Sequence, residues 1–339
     1  MAVAAEVQAP PRFSAVATEL KDKLSGELTK VNDVILDNLS SSVPLIPQVA
    51  KHLIAAGGKR LRPLLTLAAA DLAGSSAQAP KLLAAAVELI HAATLLHDDV
   101  VDDSALRRGL KTANVVFGNK ESILVGDFLF ARAFELMVKT DSLRALDILS
   151  RAACTISEGE VLQLETQSNV TTQRDTYIRV VSAKTAALFA AATHAGAVVA
   201  NADATAEKAL ADYGLNFGIA YQLVDDALDY AGEAGSLGKT AGDDFREGKM
   251  TLPVILAIEM ARNDDERAFW ERTLGQGQQR DGDFERACQL IGRDDLITRS
   301  LEEAQAYAEK AATALSVLPP SPLRQTLEDL TISSVIRRS

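Results

Sequence analysis

The sequence is poor in residues that break helices and in aromatic side chains. Its 339 residues include 20 glycines and 10 prolines, and aromatic residues make up 5%. Hydrophobic residues make up 47%, enough for a sizeable core in one large domain or two ordinary ones. With its abundant alanine, this composition is typical of a helical protein with small, closely packed side chains.

An excess of positive charge is also lacking. The formal net charge is -11, which argues against a nucleic-acid partner because phosphate backbones attract basic faces. An anionic membrane surface would repel the same average charge unless a local basic patch overrode it. We therefore expect no nucleic acid and at most transient membrane contact.

Cysteines and long apolar runs are scarce too. Cys154 and Cys288 form neither a metal-ligand pattern nor a disulfide framework, which fits a reducing cytosol and predicts a cytoplasmic protein. Residues 1–12 have no basic start and carry two prolines, so we expect a disordered tail rather than a signal peptide. The apolar stretches LLTLAAADLA and AALFAAATHAGAVVA are too short to cross a bilayer core of about 30 Å.

Helical patterns cover almost the whole chain. No run alternates apolar and polar residues convincingly enough to predict a strand, and no linker is long enough to separate two domains. We therefore predict an all-α protein in which residues 13–339 form a single helical domain. The expected helices span residues 13–38, 43–56, 61–73, 80–103, 121–139, 142–166, 173–200, 204–230, 251–262, 264–273, 282–292, 297–316 and 322–335.

Two of these helices end in the same acidic pattern. The first cluster, in LLHDDVVDD, is Asp98, Asp99 and Asp102, and the second, in QLVDDALD, is Asp225, Asp226 and Asp229. Residues four apart lie on one helix face, so the first and third carboxylates of each cluster point the same way. Unpaired carboxylates at a helix C-terminus repel one another and oppose the helix dipole, so the pattern requires a cation. Oxygen ligands suit magnesium, which binds a few carboxylates together with substrate phosphates.

Each cluster alone could be a solvated acidic helix face, which is the usual explanation of a charge run. The apolar residues before each cluster instead indicate that both helix ends reach into a core. A calcium loop is not indicated, because neither cluster has its spacing. Two similar helix ends favour a bundle in which the acidic clusters face each other.

Basic residues accompany the acidic clusters. They are Lys59, Arg60 and Arg62 in GGKRLRP, Arg107 and Arg108 after the first cluster, and Lys184, Lys239 and Lys249 farther along the chain. Each alone is most simply a solvated surface charge, yet together they offer point charges and planar guanidinium groups for oxyanions. The acidic clusters could bind one diphosphate through metal, and the basic residues could bind a second diphosphate directly.

In this order the motifs resemble those of the trans (E-type) polyprenyl diphosphate synthases, particularly the long-chain octaprenyl and decaprenyl type. The matching segments are GGKRLRP at 57–63, ELIHAATLLHDDVVDD at 88–103, RRG at 107–109, GD at 126–127, EGE at 158–160, KT at 184–185, YQLVDDALD at 221–229 and GKTAGDDFREGKMTLP at 238–253. They cover roughly residues 50–260. The resemblance implies an all-α helical bundle of the isoprenoid synthase type around a deep central cavity, usually as a homodimer.

The resemblance also implies a role for each matched residue at the first substrate. All six cluster aspartates would hold magnesium, expected as about three ions per active site, and the ions would bridge an allylic diphosphate. The same diphosphate would contact Arg107, Lys184 and Lys249. The developing allylic cation would face Gln222 and the backbone around Lys184 and Thr185.

A second substrate site is implied for isopentenyl diphosphate. Its matched residues are Lys59, Arg62, His91 and Arg108, and Lys239 is a further candidate for substrate binding. His91 lies two helical turns before Asp98 and therefore on the same face, which favours a binding role over a place in the core. The implied reaction is a magnesium-dependent, head-to-tail condensation of isopentenyl diphosphate onto an allylic diphosphate.

Product length would be decided at the cavity wall one turn before the first cluster. Short-chain members commonly carry an aromatic residue there, whereas Ala93 and Thr94 are small, so the tunnel should continue. Phe134 is a candidate for a deeper floor, although an ordinary core aromatic explains it equally well. EGEVLQLET resembles the enzymes that make quinone side chains, so we predict a product of about eight to ten isoprene units.

Three alternatives stay open. A shorter-chain farnesyl or geranylgeranyl diphosphate synthase would share these motifs. A terpene cyclase usually pairs one aspartate-rich motif with an Asn/Ser/Glu metal motif, whereas here the second cluster repeats the first. A non-catalytic regulatory subunit of a heteromeric synthase tends to lose cluster aspartates, and both clusters are complete here.

Overall fold

The computed structural model describes residues 12–55, 57–75, 77–231 and 242–336. Within these ranges the chain is helical, and one short hairpin supplies the only strands. The all-α prediction is therefore confirmed. Lys239 and the predicted tail up to residue 11 lie outside the described residues.

The helices are joined mostly by short connections. They are α1 (Phe13–Lys23), α2 (Ser25–Asn38), α3 (Leu45–Ala55), α4 (Leu61–Leu72), α5 (Ala79–Val101), α6 (Ala113–Phe117), α7 (Asn119–Val138), α8 (Leu143–Thr166), α9 (Arg174–Val181), α10 (Ala187–Val199), α11 (Ala204–Asp229), α12 (Asp243–Arg246), α13 (Leu252–Glu259), α14 (Asp264–Trp270), α15 (Asp283–Arg293), α16 (Leu296–Ala314) and α17 (Pro322–Val335). Two π-helical turns, Ser182–Ala186 and Glu271–Gly275, continue α9 and α14, and a 3-10 turn, Leu315–Val317, follows α16.

The sequence patterns do not predict three of the observed elements. A hairpin of β1 (Leu106–Arg107) and β2 (Leu110–Lys111) lies in a segment that the sequence predicts as a loop, and α6 and α12 are short helices without a predicted counterpart. Strands of two residues are too short to show an alternating pattern. The turn between them, Arg108 and Gly109, has φ values of 53° and 78°, as two-residue hairpin turns of the I′ type require.

Two apolar clusters form the core, and α11 contributes to both. Tyr213 and Phe217 pack in the first cluster, which also takes side chains from α1 to α8, α10 and α17. Leu223 and Val224 pack in the second cluster, with side chains from α9 and from α13 to α16. The helix that ends in the second acidic cluster is therefore held from both sides.

Two glycines let the π-helical turn Ser182–Ala186 approach its neighbours closely. A Cβ atom on Gly159 of α8 would lie 2.7 Å from the backbone nitrogen of Lys184, and one on Gly218 of α11 would lie 2.6 Å from Cα of Ala186. Both distances are too short for real contacts, so the backbone of the turn is clamped between two helices. Single π-helical turns inside helices frequently mark functional sites.

One helix of the described part, Ala79–Val101, is long and apolar enough to cross a membrane by length and composition. It is the helix α5, and 67% of its most apolar window is buried inside the protein. Packing in the core therefore explains the apolar character of α5. The acidic C-terminal end of the helix lies at a cavity.

The Gly218 contact predicts a stability effect. Gly218→Ala forces a methyl group against Ala186, and overpacking of this kind costs about 1–3 kcal/mol. Gly26→Ala is the matched control, since a Cβ atom at this exposed position of α2 meets nothing within 4 Å. Chemical denaturation should show a lower free energy of unfolding for Gly218→Ala and no decrease for Gly26→Ala. Equal free energies of unfolding in the two variants would contradict the close approach.

Candidate active site

A cavity of about 630 Å³ opens between the C-terminal ends of α5 and α11. Side chains from α3, α4, α5, α8, α9, α10 and α11 line it, together with the hairpin and the segment from Asp243 to Thr251. Its lining combines carboxylates, basic groups and apolar side chains. The predicted central cavity is thus present, and both acidic clusters reach it.

Four of the six cluster aspartates line the cavity. They are Asp98, Asp102, Asp225 and Asp226. Burial raises the pKa of Asp98 to about 6; Glu160 and Asp102 add to this shift, while Lys184 and Arg107 oppose it. The wall at this end of α5 therefore favours a nearby cation, as the sequence predicts.

Asp99 turns away from the cavity and binds an arginine. Its carboxylate is 1% exposed and accepts hydrogen bonds from Nη2 and Nε of Arg107, at 2.7 Å and 3.0 Å. The hairpin brings Arg107 back to the helix end, and Asn114 donates to the carbonyl oxygens of Asp99 and Ser104. Asp99 thus holds Arg107 at the cavity, and its role as a metal ligand stays a prediction.

Asp229 also has another partner. Its two carboxylate oxygens accept hydrogen bonds from the backbone N–H groups of Gly242 and Asp244, each at 3.1 Å. These contacts fix the start of α12 and bring Asp243, Asp244 and Glu247 to the cavity wall. Sequence reasoning missed these three acidic residues, although they lie within the quoted segment GKTAGDDFREGKMTLP.

Asp226 is the centre of a hydrogen-bond network. Tyr177 donates its hydroxyl to Oδ2 at 2.6 Å, and Gln222 donates Nε2 to Oδ1 at 2.7 Å. Oε1 of Gln222 accepts in turn from the hydroxyl of Thr185 at 3.0 Å. Burial raises the pKa of Asp226 to about 7, Asp244 adds to the shift, and the two hydrogen bonds oppose it.

Two lysines connect separate parts of the acidic wall. Lys184 pairs with Glu160 at 2.7 Å, and Lys249 pairs with Asp102 at 3.0 Å and with Glu247. Burial alone would lower the pKa of Lys249, but Asp244, Asp102 and Glu247 outweigh burial and raise it. Lys249 thus remains charged and ties the end of α5 to the segment after α12.

A second group of cations lies around the start of α4. Lys59, Arg60, Arg62 and Arg108 line the same cavity as the acidic clusters, as does His91. The guanidinium of Arg62 lies over the ring of Phe189, with 4.1 Å between its carbon and the ring centroid, and burial lowers its pKa to about 10. Arg60 was assigned no role from the sequence, and it pairs with Glu88.

His91 is a neutral group within this second set. Its Nε2 lies 3.3 Å from Nη1 of Arg62. Burial lowers its pKa well below the ordinary value, and the surrounding arginines lower it further. Gly58 makes room for another of these arginines, since a Cβ atom there would lie 2.8 Å from Nη1 of Arg108.

The three predicted chain-length residues occupy different places. Thr94 lines the cavity, and its hydroxyl donates to the carbonyl of His91 at 2.9 Å. Ala93 is fully buried in the first apolar cluster and lies behind the wall. Phe134 is 38% exposed on α7 and packs against Phe130 with ring centroids 6.0 Å apart. In the described chain, the cavity floor therefore does not include Phe134, because the face of α7 that carries Ala133 and Leu129 points to the core.

The carboxylates fit a metal that is shared with a ligand. Among the residues that the structure describes, no three acidic, histidine or cysteine side chains converge enough to hold an ion by themselves. Magnesium usually keeps several waters and binds through one or two carboxylates plus substrate phosphates. Oxygen donors on two facing walls, with cations beside them, suit such a shared ion.

Comparisons with known proteins agree with this chemistry. The model of the polyprenyl synthetase family matches residues 43–291. The octaprenyl diphosphate synthase of Haemophilus influenzae is 41% identical over 319 residues, which cover 94% of this chain and 96% of the relative.

Solved structures are similar over almost the whole length. The polyprenyl synthase of Caulobacter crescentus, solved with calcium and isoprenyl diphosphate, is 52% identical, with a TM-score of 0.92 over 95% of this chain and 98% of that one. The decaprenyl diphosphate synthase of Rhodobacter capsulatus is 49% identical, with a TM-score of 0.91 over 95% of this chain and 99% of that one.

The different surroundings of Asp98 and Asp99 predict stability changes of opposite sign. The raised pKa of Asp98 means that the fold disfavours its ionised form near neutral pH, so Asp98→Asn should raise the free energy of unfolding by about 1–2 kcal/mol. Asp99→Asn leaves Arg107 without its carboxylate and should lower that free energy by about 2–4 kcal/mol. Denaturant unfolding in chelator measures both, and changes of the same sign would contradict the assignment.

Proposed function

The chain belongs to the polyprenyl synthetase family and is a prenyltransferase, and we propose that it makes a long all-trans polyprenyl diphosphate of about eight to ten isoprene units. Isopentenyl diphosphate would be added head-to-tail to an allylic diphosphate. The observation that carries the proposal is that two acidic helix ends and a separate group of cations line one cavity. The names of the octaprenyl and decaprenyl relatives support the product length.

The allylic diphosphate would lie between the two acidic helix ends. Asp98, Asp102 and Asp225 are the residues best placed to share magnesium ions with it. Magnesium, when bound, supplies Lewis-acid stabilisation of the departing diphosphate. Asp99, Asp226 and Asp229 act through the partners that they hold, and the expected number of about three ions stays a prediction.

Basic residues would stabilise the same leaving group directly. Arg107 is positioned by Asp99, Lys184 by Glu160, and Lys249 by Asp102 and Glu247. The bond between C1 and oxygen of the allylic substrate breaks, and its electron pair leaves with the diphosphate. Fixed cations aimed at this developing charge need no reorganisation during the reaction.

Isopentenyl diphosphate would occupy the second basic group. Lys59, Arg62 and Arg108 would bind its diphosphate, with Arg60 as a further contact, and neutral His91 would add a hydrogen bond. The terminal carbon of its double bond then forms a bond to C1 of the allylic cation. A proton leaves C2 of the former isopentenyl unit, and the released diphosphate accepts it.

The growing chain would leave this polar region along apolar side chains. Leu95, Ile156 and Leu188 line the cavity beside Thr94. A buried methylene group contributes about 0.8 kcal/mol, so a long prenyl chain gains much from such a wall. An apolar wall also keeps water away from the allylic cation, which water would quench.

We also propose a homodimer, a cytoplasmic location and a product used for a quinone side chain. The dimer is supported by apolar side chains that the single chain leaves exposed on α6 and α7, namely Val115, Val116, Ile123, Leu124, Phe134 and Val138. Contiguous exposed apolar surface typically marks an interface. Membrane contact is expected to be transient and limited to delivery of the product.

One assay tests both the reaction and its length. Purified protein with magnesium, labelled isopentenyl diphosphate and farnesyl diphosphate should yield products of about eight to ten units, and chelator should stop elongation. Thr94→Phe places a ring in the cavity wall, so its products should be shorter because the chain meets the ring early.

Thr94→Val is the control, since it keeps the size of the side chain and removes the hydroxyl. It should leave product length unchanged. No elongation of farnesyl diphosphate by the wild-type protein would refute a long-chain synthase. The same assay with dimethylallyl diphosphate then separates a farnesyl diphosphate synthase, which elongates this primer, from a regulatory subunit, which does not. Wild-type products of only four units, one more than the farnesyl primer contains, would favour a geranylgeranyl diphosphate synthase. Unchanged length in Thr94→Phe would place the tunnel elsewhere.

A further inference from the structure

We propose that Tyr177 is a positioning residue that decides, through Asp226, which end of the Gln222 amide faces the reacting allylic carbon. The proposal rests on the function proposed above. No sequence motif assigns a role to Tyr177, and the proposal supplies one. It also explains why Asp226, which lines the cavity, is engaged by protein donors at both oxygens.

The network joins three elements around the cavity. Tyr177 lies on α9, Thr185 on the π-helical turn, and Gln222 and Asp226 on α11. All four side chains line the cavity. Tyr177 is nonetheless 4% exposed, and its hydroxyl lies 2.6 Å from Oδ2 of Asp226. A bond this short between a buried phenol and a carboxylate fixes the carboxylate's rotation.

The fixed carboxylate in turn fixes an amide. Gln222 and Asp226 are one helical turn apart, and Oδ1 of Asp226 accepts from Nε2 of Gln222 at 2.7 Å. In its ionised form the carboxylate of Asp226 only accepts hydrogen bonds, so it selects the NH2 end of the amide. The carbonyl oxygen must then point the other way, where Thr185 donates to it at 3.0 Å.

The orientation of the amide matters for the chemistry. A carbonyl oxygen has two lone pairs, so Oε1 of Gln222 can accept one hydrogen bond from Thr185 while its second lone pair faces the cavity. A developing allylic cation is stabilised by that potential, whereas the NH2 end would repel it. Loss of the Tyr177 hydroxyl frees Oδ2, lets the carboxylate rotate and weakens the selection of the amide end.

The reaction step must be measured before product release. With enzyme in excess over labelled farnesyl diphosphate and with saturating isopentenyl diphosphate, a single turnover reports the first condensation. Tyr177→Phe should lower this rate about tenfold. The half-saturating concentrations of both substrates should change less than about twofold, because the groups that bind the diphosphates are untouched.

A double-mutant cycle separates positioning from a structural role. Gln222→Leu removes the amide, so adding Tyr177→Phe to it should lower the rate by no more than about twofold further. Gln222→Met serves the same purpose if the leucine variant does not fold. A full tenfold loss in either background would overturn the proposal, because Tyr177 would then act without the amide.

Tyr213→Phe is the matched control for loss of a buried hydroxyl. Tyr213 donates to the carbonyl of Leu327 at 3.2 Å within the first apolar cluster and lies outside the cavity lining. Its loss should lower the melting temperature about as much as Tyr177→Phe and leave the condensation rate unchanged. A wild-type rate in Tyr177→Phe would overturn the inference, while absence of condensation by the wild-type protein would refute the proposed function itself.

Discussion

Repulsion between the carboxylates that end α5 and α11 is the constraint on which the rest of the structure depends. Both helices run through apolar clusters and terminate at one cavity, so their acidic ends are taken partly out of water. The C-terminal ends of helices also disfavour negative charge. Burial accordingly raises the pKa values of Asp98 and Asp226. The surrounding elements bring cations and hydrogen-bond donors to these carboxylates, so the acidic ends stay at the cavity.

Each neighbouring segment supplies a different compensation. The hairpin returns Arg107 to Asp99, the segment after α12 sends Lys249 to Asp102, and the start of α12 offers backbone N–H groups to Asp229. The π-helical turn places Lys184 and Thr185 beside α8 and α11, where Gly159 and Gly218 permit the approach. These cations and N–H groups pair with part of the acidic wall, and the remaining carboxylates still face the centre of the cavity. A diphosphate bound to metal can occupy that centre.

The sequence predicts much of this arrangement and misses identifiable parts of it. Helical periodicity locates the helices, and the four-residue spacing correctly places Asp98 and Asp102 at one wall. The same spacing does not show the hydrogen-bond partners of Asp229, which are backbone groups more than ten residues later in the chain. Local periodicity cannot show contacts that depend on how the chain folds back. For the same reason the hairpin that delivers Arg107 to Asp99, and the outward direction of Phe134, follow from the structure alone.

Magnesium binding tests the central claim most directly, namely that the two acidic ends bind metal only together with a diphosphate. Calorimetric titrations of magnesium into the protein alone, into pyrophosphate alone and into both together separate the contributions. We predict weak binding of magnesium to the protein alone and a much tighter, saturable binding when protein and pyrophosphate are both present. Tight, stoichiometric binding of magnesium to the protein alone would contradict it.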